Sequence, residues 1–399
     1  MLEFENLHCH TYVSNAYVHF PDSPVGIKDY AKTYKDRGMQ CLVASEHGYR
    51  GNVWEQADVA AEFGQKAICA AEVYFVPDRT QKDDRNFHLL LLAKNNDGFY
   101  QLNEILSESQ LSGFYYHGRV DFDLLGRLDA KNFLCSTACV GGILKDPSGE
   151  KYANQLHEIF KENFRLEIQH HDNPVQKKHN ELVMELYRKY KWPLLFCTDS
   201  HYVKPEDVYL RKELLASKKM DKIEDGSWKL YLPTAEEAYE MLLKQNVMTK
   251  AQIEEAFENT LEARTFEGFS YDTSFKLPIS SKRKDMSVEE RKALYEQMVW
   301  DGYRERFGEP TDWERSELQD EINIIHNTNM EDYFISLKDM LDRGVELGGK
   351  LTTTGRGSAA SFASNAALGF TTMNRLRSKI KMYPERFITE DKLKVGCPD

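Results

Sequence analysis

Residues 193–202 read PLLFCTDSHY, an apolar run that breaks off into a D-x-H pair, Asp199 and His201. The run has the length of a buried strand, and a spacing of two along a strand puts both side chains on one face. A carboxylate and an imidazole so placed form a preformed claw for a cation. At the opposite end of the same region, residues 2–10 read LEFENLHCH and close in the same way, with His8 and His10 as H-x-H. Strands are expected at residues 3–8, 40–45, 66–75, 87–93, 132–137, 164–169 and 193–198, with amphipathic stretches such as IKDYAKTYKDRG and VQKKHNELVMELYRKY between them. Apolar residues recur every three or four positions in those stretches, so the alternation is that of βα units, and seven strands suggest a closed or nearly closed βα barrel.

The remaining metal-type side chains sit at the ends of these runs. His47 follows the second run in SEHG, Glu72 closes the third in AAEVY, and Cys139 follows the fifth. In a βα barrel the C-terminal strand ends face a common mouth, so residues distant in sequence converge there. His88 precedes its run, FHLLLL, and reaches the mouth only if that strand starts earlier or runs the other way. Imidazole, thiolate and carboxylate hold Zn²⁺ and similar ions at about 2.0 to 2.3 Å. Several ions together bind a phosphate ester, acidify a bridging water and stabilise a leaving oxygen. His117, His157, His170, His171, His179 and His326 lack such placement and are read as structural.

The order LHCHTYVSN, SEHGYRG, AAEVYFVP, FHLLLLAKN, STACVGG and CTDSHY resembles the PHP (polymerase and histidinol phosphatase) domain, in the version found in the bacterial DNA polymerase III alpha family. The resemblance implies a distorted seven-stranded barrel with nine metal ligands. By motif these are His8, His10, His47, Glu72, His88, Cys139, Asp199 and His201, with Asp22 in FPDSP as the ninth, farther from His10 than the family pattern leads one to expect. Glu46 stands where many relatives carry Asp. It also implies two or three ions, Zn²⁺ or Mn²⁺, and hydrolysis of phosphodiesters as a 3′-5′ exonuclease. Arg119, in GFYYHGRVDF, is the candidate contact to substrate phosphate.

Beyond His201 the pattern turns helical, and YDTSFKLPISSKRKD at 271–285 reads as a junction, dividing the chain into 1–275 and 276–399. Further on, LTTTGRGSAASFASNAALGF places Gly355, Arg356, Gly357 and Ser358 ahead of a small-residue helix. Such a turn offers backbone amides and a helix dipole to phosphate. MEDYFISLKDM before it, and PERFI with Arg386 and GCPD after it, are similar in order to the palm of the same polymerase family. The resemblance implies that Gly357 and Ser358 cradle a nucleotide triphosphate, that Arg386 assists, and that Asp399 is the first catalytic Asp for Mg²⁺ in a completed palm. Departures are the SAASFASNAA stretch, where relatives carry a second Gly-Ser step, and a slightly long spacing to Asp399. Arg375, Arg377, Lys379, Lys381, Arg386, Lys392 and Lys394 form a basic stretch that near a palm would face DNA.

The fold expected is therefore α/β, a PHP barrel with a helical extension followed by an incomplete α+β palm. Of its 399 residues 41% are hydrophobic, enough for two cores, and the net charge of -12 excludes a protein that coats nucleic acid nonspecifically. Seven scattered cysteines and no long apolar run lead to the expectation of a soluble, cytoplasmic protein without membrane partners. The function expected is that of an N-terminal fragment of the polymerase, unable to polymerise alone. Its partners would be primer-template DNA, dNTP, the C-terminal remainder and, through that remainder, the sliding clamp. The alternatives are a stand-alone phosphoesterase on a small monoester and a non-catalytic scaffold for the palm.

Overall fold

A computed structural model describes residues 2–16, 22–82, 85–220, 227–274, 278–280, 282–351, 355 and 357–395. The chain divides into two units, with the boundary between Tyr271 and Asp272.

The strands of the first unit are β1 (Cys41–Ala44), β2 (Lys66–Phe75), β3 (Phe87–Ala93), β4 (Arg119–Val120), β5 (Phe133–Ser136), β6 (Phe164–Ile168) and β7 (Leu194–Phe196). They form one curled sheet in the order β1-β2-β3-β5-β6-β7, with the short β4 paired to β2. Neighbours are parallel except at β3, which runs antiparallel to both β2 and β5. That reversal answers the question posed by His88: the start of β3 lies where the parallel strands end.

The strand expected at residues 3–8 forms no ladder. The Glu5 carboxylate accepts the Gln40 and Cys41 amides at 3.0 Å and Arg264 Nε at 2.7 Å, so a side chain takes bonds that a neighbouring strand would otherwise make. The segment still joins the two sheet edges. Cys9 bridges to Ser200, the Ser45 amide donates to the Cys9 carbonyl at 2.9 Å, and the His10 amide donates to the Ser200 carbonyl at 2.9 Å.

Strand alternation sorts the side chains into two apolar layers. Leu42, Cys69, Leu91, Cys135, Leu166 and Phe196 pack outward under the helices, whereas Val43, Ala70, Leu90, Leu134 and Leu195 fill the interior. The helices are α1 (Ile27–Asp36), α2 (Val53–Phe63), α3 (Asn96–Ser112), α4 (Phe122–Leu125), α5 (Gly149–Phe160) and α6 (Pro174–Tyr190), followed by α7 (Val208–Ser217), α8 (Ala235–Gln245) and α9 (Lys250–Glu258). In α1 the buried residues are Ile27, Tyr30, Ala31 and Tyr34, the i, i+3, i+4, i+7 stripe of a helix facing a core. Beyond α9, Ala263 and Phe266 join the interior layer, so the helical extension plugs the barrel at the end away from His8 and Asp199. At Gly268, with φ +77°, a Cβ would stand 2.6 Å from the Ala67 carbonyl, so the chain leaving the plug needs glycine there.

The α-helices of the second unit, among its described residues, are α10 (Val288–Phe307), α11 (Asp312–Asn327), α12 (Glu331–Glu346), α13 (Ala363–Ala367) and α14 (Glu390–Val395). Its core gathers Tyr295, Val299, Leu318, Ile322, Phe334, Phe362 and Ile388. The sheet of an α+β palm has no strand among the described residues. Ser287 with Glu290, and Thr311 with Glu314, form reciprocal capping boxes that start α10 and α11. Among the described residues no helix is long and apolar enough to cross a membrane.

Candidate metal centre

The interior layer of each strand continues into a polar one. In β2 the inward positions Ile68 and Ala70 lead to Glu72, in β3 Leu92 and Leu90 lead to His88, and past β7 Leu195 and Cys197 lead to Asp199. Glu72 lies inside β2 rather than at its end, because β3 pairs with β2 as far as Phe75. Glu72 is the hub of the cup: Oε1 stands 3.2 Å from His8 Nε2 and 2.9 Å from His88 Nδ1, and Oε2 stands 2.8 Å from His47 Nδ1 and 3.6 Å from His10 Nε2. Asp199 Oδ1 lies 3.2 Å from His10 Nε2 and 3.5 Å from His8 Nε2. Asp22 faces His201 Nε2 at 2.9 Å and His47 Nε2 at 3.2 Å, and Cys139 Sγ lies 3.3 Å from His88 Nδ1 and 3.5 Å from Glu72 Oε1. The nine residues read as ligands from the sequence thus meet in one cup.

Three groupings within it have ligand atoms all within 4.8 Å of one another: His10, Asp22, His47 and His201; His8, His10 and Glu72; and His47, Glu72 and His88. His8 Nε2, His10 Nε2, His47 Nδ1, Asp22 Oδ2, Glu72 Oε2 and Asp199 Oδ1 are buried and face only one another, at 2.8 to 3.6 Å, with no partner outside the cup. Imidazole and carboxylate groups packed face to face with no other partners form a donor set that suits bound cations.

The histidines are oriented from behind. His8 Nδ1 pairs with the Glu167 carboxylate at 2.8 Å, which turns Nε2 into the cup. His10 Nδ1 meets Ser14 Oγ at 3.2 Å, and the Ser14 hydroxyl donates to Glu46. His201 Nδ1 donates to the Asp199 carbonyl at 2.8 Å. Asp199 adopts φ +48°, a left-handed backbone that aims its side chain and His201 together.

Protons stand in for cations in the charge balance. Burial opposes charge on His47, but Asp22 and Glu72 raise it to about 10. Burial likewise opposes charge on His8, and the Glu167, Asp199 and Glu72 carboxylates hold it well above its usual value. Burial lowers His10 to about 4, with the His47 charge adding to the effect. Asp22 and Glu72 lie well below the carboxylate range: burial would raise them, and the facing histidines outweigh it. Burial, reinforced by Glu72 and Asp199, pushes the Cys139 thiol well up. Cation binding at these groups therefore displaces protons.

Other sequence expectations meet different surroundings. Arg119 is buried, its guanidinium donating to the carbonyls of Gly113, Gln81 and Arg79 at 2.8 Å each, which commits it to holding loops rather than a phosphate. Gly357, with φ +76°, enters a short 3₁₀ turn at Ser358–Ser361, not a long helix. The amides that open α13, those of Ala363 and Ser364, are taken by the Glu321 carboxylate at 2.9 and 2.8 Å. Arg356 and Asp399 lie outside the described residues, and Arg386 is exposed. Of the basic stretch, Arg375 pairs with Glu321 and Glu317, and Arg377 with Glu314, leaving Lys379, Lys381 and Arg386 on the surface. Sequence reasoning missed Glu167, whose signal was an acid inside the apolar run FRLEI. It missed Arg211 as well, buried with NH1 3.5 Å from Asp22.

Comparison with known proteins matches the two units to two family models. Residues 6–171 match the PHP domain, and residues 293–399 match the bacterial DNA polymerase III alpha NTPase domain. The chain is 27% identical over 434 residues to the DNA polymerase III subunit alpha of Aquifex aeolicus, covering 100% of this chain and 36% of that protein. Identity to the DNA polymerase III subunit alpha of Thermus aquaticus is 31% over 283 residues, covering 65% of this chain and 22% of that one. For Helicobacter pylori strain J99 it is 26% over 438 residues, covering 99% and 35%. The chain thus spans roughly a third or less of the length of these relatives.

Proposed function

For a chain that joins a PHP domain to a bacterial DNA polymerase III alpha NTPase domain, we propose a role in DNA replication in which the barrel hydrolyses phosphodiesters at a strand end, as a 3′-5′ exonuclease. The carrying observation is the cup itself, with buried imidazole, carboxylate and thiol groups converging and six of their atoms facing only one another. The donor set fits Zn²⁺ or Mn²⁺ held by His8, His10, Asp22, His47, Glu72, His88, Cys139, Asp199 and His201. Cations bound there would polarise the phosphate and acidify a water.

The residues of the chain do the rest. Asp22, Glu72 and Asp199 stay ionised and would repel a phosphodiester unless cations offset them, so substrate and cations are bound together. Glu167 and the Ser14–Glu46 pair fix the tautomers of His8 and His10, which keeps Nε2 a lone-pair donor. The barrel walls exclude bulk water from these groups, and the plug around Phe266 closes the opposite end.

In the second unit, Gly355 to Ser358 are proposed to cradle a triphosphate, with Arg386 near it and Asp399 holding Mg²⁺. The partners proposed for the whole polymerase are primer-template DNA, dNTP, the remaining polymerase segments and the clamp. A stand-alone monoesterase has no use for that second unit.

The experiment is release of nucleotides from single-stranded DNA by the chain supplied with Mn²⁺ or Zn²⁺. His10→Ala and Asp199→Ala are expected to abolish release while the circular dichroism spectrum is kept. Activity in the variants equal to wild type, or no activity in a metal-loaded wild type, overturns the reading.

A further inference from the structure

A file of aromatic rings leads out of the cup. His10 and His47 stack at 4.2 Å with their planes 17° apart, His47 and Tyr74 at 6.1 Å and 20°, and Tyr74 and His117 at 4.2 Å and 20°. His117 ends the loop between α3 and β4. β4 runs parallel to β2 with Arg119 opposite Tyr74, so the residues just before β4 lie level with the part of β2 that carries Glu72. The same loop holds two large rings toward solvent, Phe114 at 59% exposure and Tyr116 at 61%. Tyr115 and Tyr116 meet edge to face at 4.6 Å.

This loop is built rather than slack. Arg119 ties Gly113 to the chain at Gln81 and Arg79, and its guanidinium lies 5.5 Å from the Tyr115 ring centre. Tyr116 has φ +60°, a left-handed conformation that costs a bulky residue free energy. A strained, exposed tyrosine two residues from an exposed phenylalanine offers flat apolar faces to a ligand.

We propose that the loop from Phe114 to His117 is a stacking platform for the bases of a single strand whose terminal phosphodiester enters the cup. The proposal rests on the phosphodiesterase reading and deepens it by naming the recognition element. Charge selects the occupant. A net charge of -12 gives the phosphates beyond the cup little general attraction, whereas base stacking holds a strand without cationic side chains. A small phosphate monoester has nothing to set on these rings.

The test is fluorescence anisotropy of the full chain loaded with Mn²⁺, with a 5′-fluorescein thymidine octamer and an abasic octamer of the same backbone, both with phosphorothioate linkages so that no cleavage intervenes. The thymidine octamer is expected to bind about tenfold more tightly than the abasic one, in the range that stacking contributes per base. Joint Phe114→Ala and Tyr116→Ala substitution is expected to erase that difference while leaving abasic binding as it was, and Tyr116→Trp to preserve it. Equal binding of both octamers by the wild type overturns the proposal without needing any variant. So does Tyr116→Leu matching Tyr116→Trp, since that marks a surface for an apolar protein partner. Base-dependent binding without metal-dependent cleavage would sink the nuclease reading and leave the platform standing. Cleavage without base dependence would do the reverse.

Discussion

At the scale of single residues, the cup depends on groups that never face a substrate. Glu167 is fully buried and holds His8 through Nδ1, and Gln169 Nε2 donates to the same carboxylate at 2.8 Å. Removing such a partner commonly costs about 10- to 100-fold in metal affinity. Glu167→Gln keeps the shape but gives up the charge that steadies the imidazole. Titration of the apo chain with Mn²⁺ against a chelating indicator is therefore expected to show a loss of about tenfold or more, with the fold retained. An unchanged affinity would remove Glu167 from the design. The local mark of this glutamate, an acid inside the apolar run FRLEI, does not say what it binds. Its partner lies 159 positions away, and only the parity of β6 turns it inward.

At the scale of elements, alternation carried most of the information. β2 and β3 run over the residues their apolar runs predict, Lys66–Phe75 and Phe87–Ala93, because strands buried on both faces read as unbroken apolar runs. The direction of β3 was not legible: an apolar run is the same read either way, and pairing with β2 and β5 decides it. The first segment misled for the opposite reason, since Glu5 replaces a ladder with side-chain bonds. In the second unit, α11 begins at a capping box whose Glu314 also binds Arg377 at 2.7 Å, and that hydrogen bond is the first cause of a carboxyl lowered from 4.5 to about 2. A lowered carboxyl stabilises above its unfolded value and loses that contribution as pH falls through the folded one. Urea unfolding of the second unit is thus expected to weaken between 4.5 and about 2, and Glu314→Gln to flatten that part of the profile. A profile identical in the variant would mean the bond contributes nothing.

At the scale of the whole molecule, a metal centre built from residues of the first unit predicts that the two units respond to metal differently. Ligands that bind only the folded state stabilise it, by about 2.7 kcal/mol at about 100 times Kd. Calorimetry with and without Mn²⁺ is expected to move the transition of the unit ending at Tyr271 upward, and to leave that of the unit beginning at Asp272 in place. A shift shared equally by both transitions would contradict a centre confined to the barrel. The sequence by itself determined the succession of strands and helices, the change to helical structure after His201 and the chemical types available for a cation, because period and side-chain chemistry are local properties. The strand ends led one to expect that the groups from His8 to His201 share one cup, but the tertiary structure alone decided that β3 runs backward to bring His88 there. It also decided that Arg119, read as a phosphate contact, is consumed by three carbonyls, and that Glu321 takes the amides at the start of α13. The physical reason is the same in each case: which partner satisfies a buried polar group is settled by what the packed chain brings within about 3 Å, and no spacing along the sequence records it.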